Sequence, residues 1–178
     1  MISYLLYFWM AFLAMDKNTL TDIPPVSPDE EQLFNLINEY RVSRGLEVIP
    51  LSAPLTKVAQ VHARDLMENY KRSNRCNMHS WSKEGTWTAC CYRDNHKDPH
   101  CMWDKPREIA GYDSPGYEIA YWHSAAAEPK EALEVWKKSP GHHSVLANLA
   151  PFRDANWKAM GVGIYKEYAV VWFGEMED

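Results

Sequence analysis

The glycine alternation Gly161-Val162-Gly163 narrows the possible folds of this chain more than any other feature. Met160 to Tyr165 and Ala169 to Phe173 are two strand-like runs around a polar turn at Lys166-Glu167, and together they read as a hairpin. Alternating glycines leave one face of the first strand bare. That weakens a strand by itself and marks a face that another element approaches closely. A helix is the expected neighbour. In the second strand Val170 and Trp172 point one way and Val171 and Phe173 the other, so the hairpin should be covered on both faces.

The helices to cover it are written upstream. Ser27, Pro28 and Glu30 form a capping-box start, Leu33, Ile37 and Tyr40 form an apolar stripe, and Gly45 supplies the stop. A second helix opens near Ser52, with Leu55, Val58, Ala59, His62 and Leu66 on one face. His62 on that face reads as a packed core histidine and stays outside the candidate site. A third helix after Pro129 carries Ala132, Leu133 and Trp136 on one face. It ends at Ser139-Pro140-Gly141, which delivers His142 onto the start of a further helix, with Ser139 as the expected N-cap. His143, one residue on, should point elsewhere, onto the surface. Tyr117 to Trp122 is an aromatic and aliphatic run, strand or short helix, with Glu118 as its one carboxylate. Burial there obliges Glu118 to find a hydrogen-bond partner or a cation. The order of elements gives an α+β fold with a small antiparallel sheet between helices.

Residues 73–115 break the periodicity and hold all four cysteines, Cys76, Cys90, Cys91 and Cys101. Two disulfides are the default for an exported chain, and three connectivities are open. A vicinal Cys90–Cys91 bridge is strained, so each should pair outward with Cys76 or Cys101. Zinc is the alternative, because His79, His96 and His100 share the window and Cys76-x-x-His79 has ligand-like spacing. Within this segment Thr86 to Tyr92 has strand-like composition and Pro106 to Ala110 suits a short helix.

A chain of 178 residues fits one domain with a real core. The net charge of −5 and the absence of a basic stripe exclude a nucleic-acid footprint. Ile2 to Met15 carries no charge, and its apolar run is short for a membrane span and right for a signal peptide, although no basic residue precedes it. The organisation expected is therefore a signal peptide or apolar leader at 1–15, a linker at 16–26 and one domain at 27–178. A buried N-terminal helix is the alternative for the leader.

Together these pieces resemble the CAP superfamily: the cysteine-rich secretory, venom-allergen and plant pathogenesis-related proteins. Leu51, Leu55, Ala59 and His62 are similar to its Leu/Ala helix, His79-Ser80 to its His-Ser element, and Gly116 to Ala120 to its Gly-Glu-Asn-Ile element. Trp136 with Ser139 to His142 resembles the bacterial Trp-x-x-Ser-x-x-His form, and Gly161-Val162-Gly163 the family's glycine-alternating strand. The resemblance runs from about Ser27 to Glu175. It implies an α-β-α sandwich, secretion, and a central cleft with two histidines and two acids that can bind a divalent metal. His79 and His142 match the histidines and are the candidate metal ligands. Glu118 matches the first acid, displaced by one place, and Ser139 stands where the second acid is expected. Glu134 points from another part of the helix and does not replace it.

A His79, Glu118 and His142 set could hold zinc with one position left for water, the arrangement of hydrolytic zinc sites. The same residues could form a buried polar network without turnover. No Gly-x-Ser-x-Gly elbow is present, and Ser80 and Ser144 neighbour histidines only in sequence. The expectation is a secreted, non-catalytic protein whose cleft binds a small apolar ligand or an extracellular protein, since the family includes sterol and lipid binders. The alternatives are a metal-dependent hydrolase and a disulfide-stapled envelope or matrix protein.

Overall fold

A computed structural model describes residues 25–71 and 75–178. The expected leader at 1–15 and most of the linker at 16–26 lie outside them. The described chain runs through helices α1 (Pro28–Ser43), α2 (Ala53–Asn69), α3 (His100–Trp103) and α4 (Lys105–Ala110), and then strand β1 (Gly116–Trp122). Helices α5 (Pro129–Lys138) and α6 (Pro140–Leu146) and the hairpin β2 (Ala159–Tyr165) and β3 (Tyr168–Gly174) complete it. The sheet is antiparallel in the order β1-β3-β2, with Glu118 opposite Trp172 and Gly161 also opposite Trp172 from the other side.

The two sheet faces carry separate cores, as the period-two pattern of β3 requires. Ile119, Tyr121, Val171 and Phe173 pack with Leu33 and Ile37 of α1, with Leu133 and Trp136 of α5, and with Leu146 of α6. Ala120, Val170 and Trp172 pack on the other face with Leu55, Val58, Ala59 and Leu66 of α2. This is the α-β-α sandwich, and the bare glycines explain its tightest seam. A Cβ at Gly161 would fall within the backbone of Leu55 and Thr56, and one at Gly163 within that of Ala59 and Gln60. The chain before α2 is fastened to the same strand. Ser52 N donates to Met160 O at 2.8 Å, and Met160 N donates to Pro50 O at 2.9 Å.

The capping box at α1 forms as read, and its glutamate reaches further. Glu30 accepts from Ser27 N at 2.7 Å, from Gln60 Nε2 at 3.0 Å and from Ile164 N at 2.9 Å, which ties α1 to α2 and β2. Helix α6, which carries His142, is held from both ends of the sequence. Arg41 Nη1 donates to Leu146 O at 2.8 Å, satisfying a carbonyl at the end of α6, and Trp157 Nε1 donates to Val145 O at 3.0 Å.

Several expectations change in the fold. Arg41 is buried beside the stripe of α1, while Tyr40 packs half-buried against the same core as Leu33 and Ile37. Ser139 occupies the N-cap position of α6, but its side chain makes no capping hydrogen bond. Its carbonyl closes the first turn instead, accepting from His143 N at 2.8 Å. Thr86 to Tyr92 is not a strand. Within it only Cys90 pairs, with Trp81, in an isolated bridge, because the segment has no long partner and Cys90 and Cys91 are drawn to different disulfides. His143 is half-buried and bonded to Tyr40 Oη at 2.7 Å instead of lying free on the surface. No helix among the described residues is long and apolar enough to cross a membrane.

Gly161→Ala and Gly163→Ala should each destabilise the protein by about 1–3 kcal/mol through overpacking against the α2 backbone. Gly141→Ala, where an added Cβ meets nothing within 4 Å, should leave stability unchanged or slightly raised. Urea unfolding midpoints of the three variants check this. Equal effects at all three sites would contradict the close seam.

Candidate functional site

The cysteine-rich segment supplies one wall of the site. Cys76 pairs with Cys91 and Cys90 with Cys101, so both adjacent cysteines bridge outward. No free cysteine remains, and the window therefore holds no Cys/His zinc site. Its histidines go to other partners. His96 Nδ1 meets Tyr92 Oη at 3.1 Å, His100 Nδ1 meets Asp104 at 3.2 Å, and His79 reaches β1. The bridges hold Ser80 and Trp81 over the buried face of α2.

Glu118 projects from β1 onto the α2 side of the sheet, the side it shares with Ala120, and is 4% exposed. Its carboxylate accepts two hydrogen bonds from imidazoles. His79 Nδ1–H donates to Oε1 at 2.8 Å, and His62 Nδ1–H donates to Oε2 at 2.7 Å. His62 Nε2 lies 3.0 Å from the Ser80 carbonyl oxygen. The His62 ring lies flat on Trp81, with centroids 4.0 Å apart and planes 9° from parallel. Burial alone would raise the Glu118 carboxyl. The charge and hydrogen bond of His62, then those of His79, outweigh burial and hold it down at about 2.

His142 enters from the start of α6. Its ring stands edge-on to His79, with centroids 6.2 Å apart and planes at 65°. Its Nδ1 is buried without a hydrogen-bond partner. Burial, reinforced by the neighbouring His79 and opposed by Glu118, lowers its pKa to about 4, so His142 is a neutral imidazole at pH 7. Ser139 is half-buried at the helix junction, and Glu134 turns to solvent to pair with Lys137 at 2.6 Å. Neither supplies a second acid here.

The structure thus brings His79, Glu118 and His142 together and adds His62, expected from its helix face only as a core residue. His62 is indeed core, at 0% exposure, and it is also the main partner of Glu118. A polar side chain on an apolar helix face and a lone carboxylate on an apolar strand are two buried groups in need of partners. That shared need was the available signal.

Does this set fit zinc? Both Glu118 oxygens already accept from imidazole N–H groups, so the carboxylate is not directed at a point shared by His79 and His142. Among the described residues no group of three or more His, Cys, Asp or Glu side chains is placed to hold a metal ion. The three-donor zinc centre expected from the residue types does not fit.

His79 and His142 form the polar end of a cleft of about 580 Å³. Tyr92, Met102, Trp103, Tyr117, Val145 and Phe152 give it mainly apolar walls. A larger hollow of about 720 Å³ lies beside the Cys90–Cys101 bridge, and in its lining Lys105 pairs with Glu108, Arg107 with Asp113 and His100 with Asp104. The aromatic cleft is where a buried imidazole nitrogen, His142 Nδ1, has no hydrogen-bond partner.

Residues 34–173 match the model of CAP, the cysteine-rich secretory protein family. The chain belongs to this family. No curated protein matches the sequence significantly. Among solved structures, an extracellular protein of Bacillus anthracis containing an SCP domain is 20% identical, with TM-score 0.58 over 86% of this chain and 45% of that one. An outer surface protein of Borrelia burgdorferi is 19% identical, with TM-score 0.57 over 86% of this chain and 97% of that one. A cysteine-rich secretory protein of Staphylococcus aureus is 15% identical, with TM-score 0.56 over 85% of this chain and 40% of that one. The chain thus spans less than half the length of the first and third of these proteins. At such identities the likeness concerns the fold.

Both shifted groups make stability fall on acidification. The folded pKa values of His142 and Glu118 lie below the ordinary values of 6.5 and 4.5, so the unfolded state binds more protons as pH falls. The His142 contribution is present above pH 6.5 and lost between 6.5 and about 4, and that of Glu118 is lost between 4.5 and about 2. Urea midpoints measured from pH 8 to pH 4 should decline, and His142→Gln should flatten the upper part of that decline. An unchanged slope in the variant would show that His142 is not the group responsible.

Proposed function

We propose that this CAP domain works outside the cytoplasm as a non-catalytic binding protein, and that its aromatic cleft takes a small, largely apolar molecule with a polar head. The observation that carries this reading is the pairing of apolar walls with an imidazole end whose polar atoms are left open. His142 Nδ1 is buried without a partner, and no hydrogen bond to His79 Nε2 is made among the described residues. Concave, mainly apolar sites with a few convergent polar groups are where small ligands bind.

Turnover has less support. Glu118 sits between two imidazole N–H groups and is held as an anion, so it has no proton to give near neutral pH. Metal-dependent hydrolysis has less support still, because among the described residues no group of three or more His, Cys, Asp or Glu side chains is placed to hold a metal ion. Location outside the cytoplasm draws support from the two disulfides and from the extracellular and outer-surface proteins that share the fold.

Titration of the oxidised protein with 1-octanol, followed by tryptophan fluorescence because Trp103 lines the cleft, should saturate. Val145→Trp, which fills the cleft, should weaken binding by about tenfold or more. Saturable binding that ignores Val145→Trp would move the ligand elsewhere, and no binding by octanol or other alkyl probes would sink the small-molecule reading.

A further inference from the structure

The walls of the aromatic cleft are uneven in charge. Among the described residues no lysine or arginine lines it, and Glu118 is the one carboxylate in the lining. Its rings meet at steep angles. Trp103 meets Tyr117 with centroids 6.3 Å apart and planes at 60°, and Tyr117 meets Phe152 at 5.4 Å and 81°. At the imidazole end Tyr92 stands edge-on to His79, at 5.7 Å and 78°. Rings that turn in this way about one hollow offer it faces as well as edges.

Elsewhere the chain covers aromatic faces with its own cations. Arg64 lies over Tyr165 at 4.7 Å, Lys105 over Trp81 at 5.6 Å and Lys137 over Tyr40 at 5.1 Å. No described lysine or arginine lies over Tyr92, Trp103, Tyr117 or Phe152. A cation from outside can therefore take these rings, and hydrogen-bonding capacity decides which kind. A primary ammonium brings three N–H donors that need acceptors once buried. Each Glu118 oxygen is already bonded to an imidazole nitrogen, and Ser144 Oγ and Tyr92 Oη are engaged with Gly141 O and His96 Nδ1. A carboxylate or sulfate head would find no lysine or arginine to pair with. A quaternary ammonium has no N–H, wears its charge on methyl groups and is held by ring faces alone.

We infer that the cleft selects apolar molecules with a quaternary ammonium head, held by the rings of Tyr92, Trp103, Tyr117 and Phe152. This rests on the cleft being a site for small apolar molecules and adds the charge and kind of the head.

The test compares three probes of one chain length, octyltrimethylammonium, 1-octanol and octyl sulfate, by calorimetry on the oxidised protein at pH 8, above the ordinary histidine range. The ammonium should bind about tenfold or more tighter than the alcohol, the scale of cation–π contacts in a desolvated site, and the sulfate should bind weakest. Trp103→Leu and Phe152→Leu keep an apolar wall and remove a π face. Each should weaken ammonium binding by about threefold or more, with 1-octanol binding and near-ultraviolet circular dichroism nearly unchanged. Equal binding of ammonium and alcohol, or tighter binding of the sulfate, overturns the inference and leaves the small-molecule reading standing. Equal losses of ammonium and alcohol binding in the folded leucine variants also overturn it, since the rings would then serve only as apolar surface. Binding of none of the three probes refutes both readings. A free quaternary amine and a choline lipid share this head. Displacement of the probe by choline alone points to the first, and pelleting of the protein with phosphatidylcholine vesicles to the second; either supports the inference.

Discussion

The close seam between α2 and β2 is the constraint on which the site depends. Two glycines let a helix backbone settle onto a strand at a distance no side chain would allow. Because α2 lies that close to the sheet, a histidine on its inner face reaches a carboxylate on β1, two strands across from the glycines. A bulkier residue at either glycine would lift the helix, and His62 and Glu118 would each be left as a buried polar group without its partner, a costly state for both. The packing and the polar network are thus one arrangement.

The second requirement is a stiff loop. Outside α3 and α4 the described residues between α2 and β1 have little regular structure, yet they present Ser80, Trp81 and His79 to the network. The two disulfides and the Trp81–Cys90 bridge close this loop on itself, and Cys101 leads directly into Met102, whose sulfur accepts from Glu118 N at 3.3 Å. Cross-links restrict the unfolded chain most where local structure is scarce. Here they lie around the segment that carries His79, and Cys101 also packs into the core on the α2 side.

Much of the fold was legible because its determinants are local or periodic. The capping box at Ser27, the stripe of α2, the faces of β3 and the glycine alternation all act through neighbours a few residues away or through a repeat. Thr86 to Tyr92 shows the limit. Its composition suits a strand, but a strand needs a partner, and here the partner is a single residue. Ser139 shows another: the residue type and position suited a cap, while the side chain made no bond.

By itself, the sequence determined an α+β sandwich, the need for a helix against Gly161 and Gly163, the outward pairing of Cys90 and Cys91, and the candidates His79, Glu118 and His142. Only the tertiary structure decided how the polar groups were matched. Glu118 is 56 positions from His62 and 39 from His79, and nothing in the spacing says which imidazole takes which oxygen. That choice follows from the register of β1 beside β3, the depth of α2 on the sheet and the course of the stapled loop. It turned an apparent set of metal ligands into a carboxylate held between two imidazoles. The packing of α2 gives one of its oxygens to His62, and the stapled loop gives the other to His79.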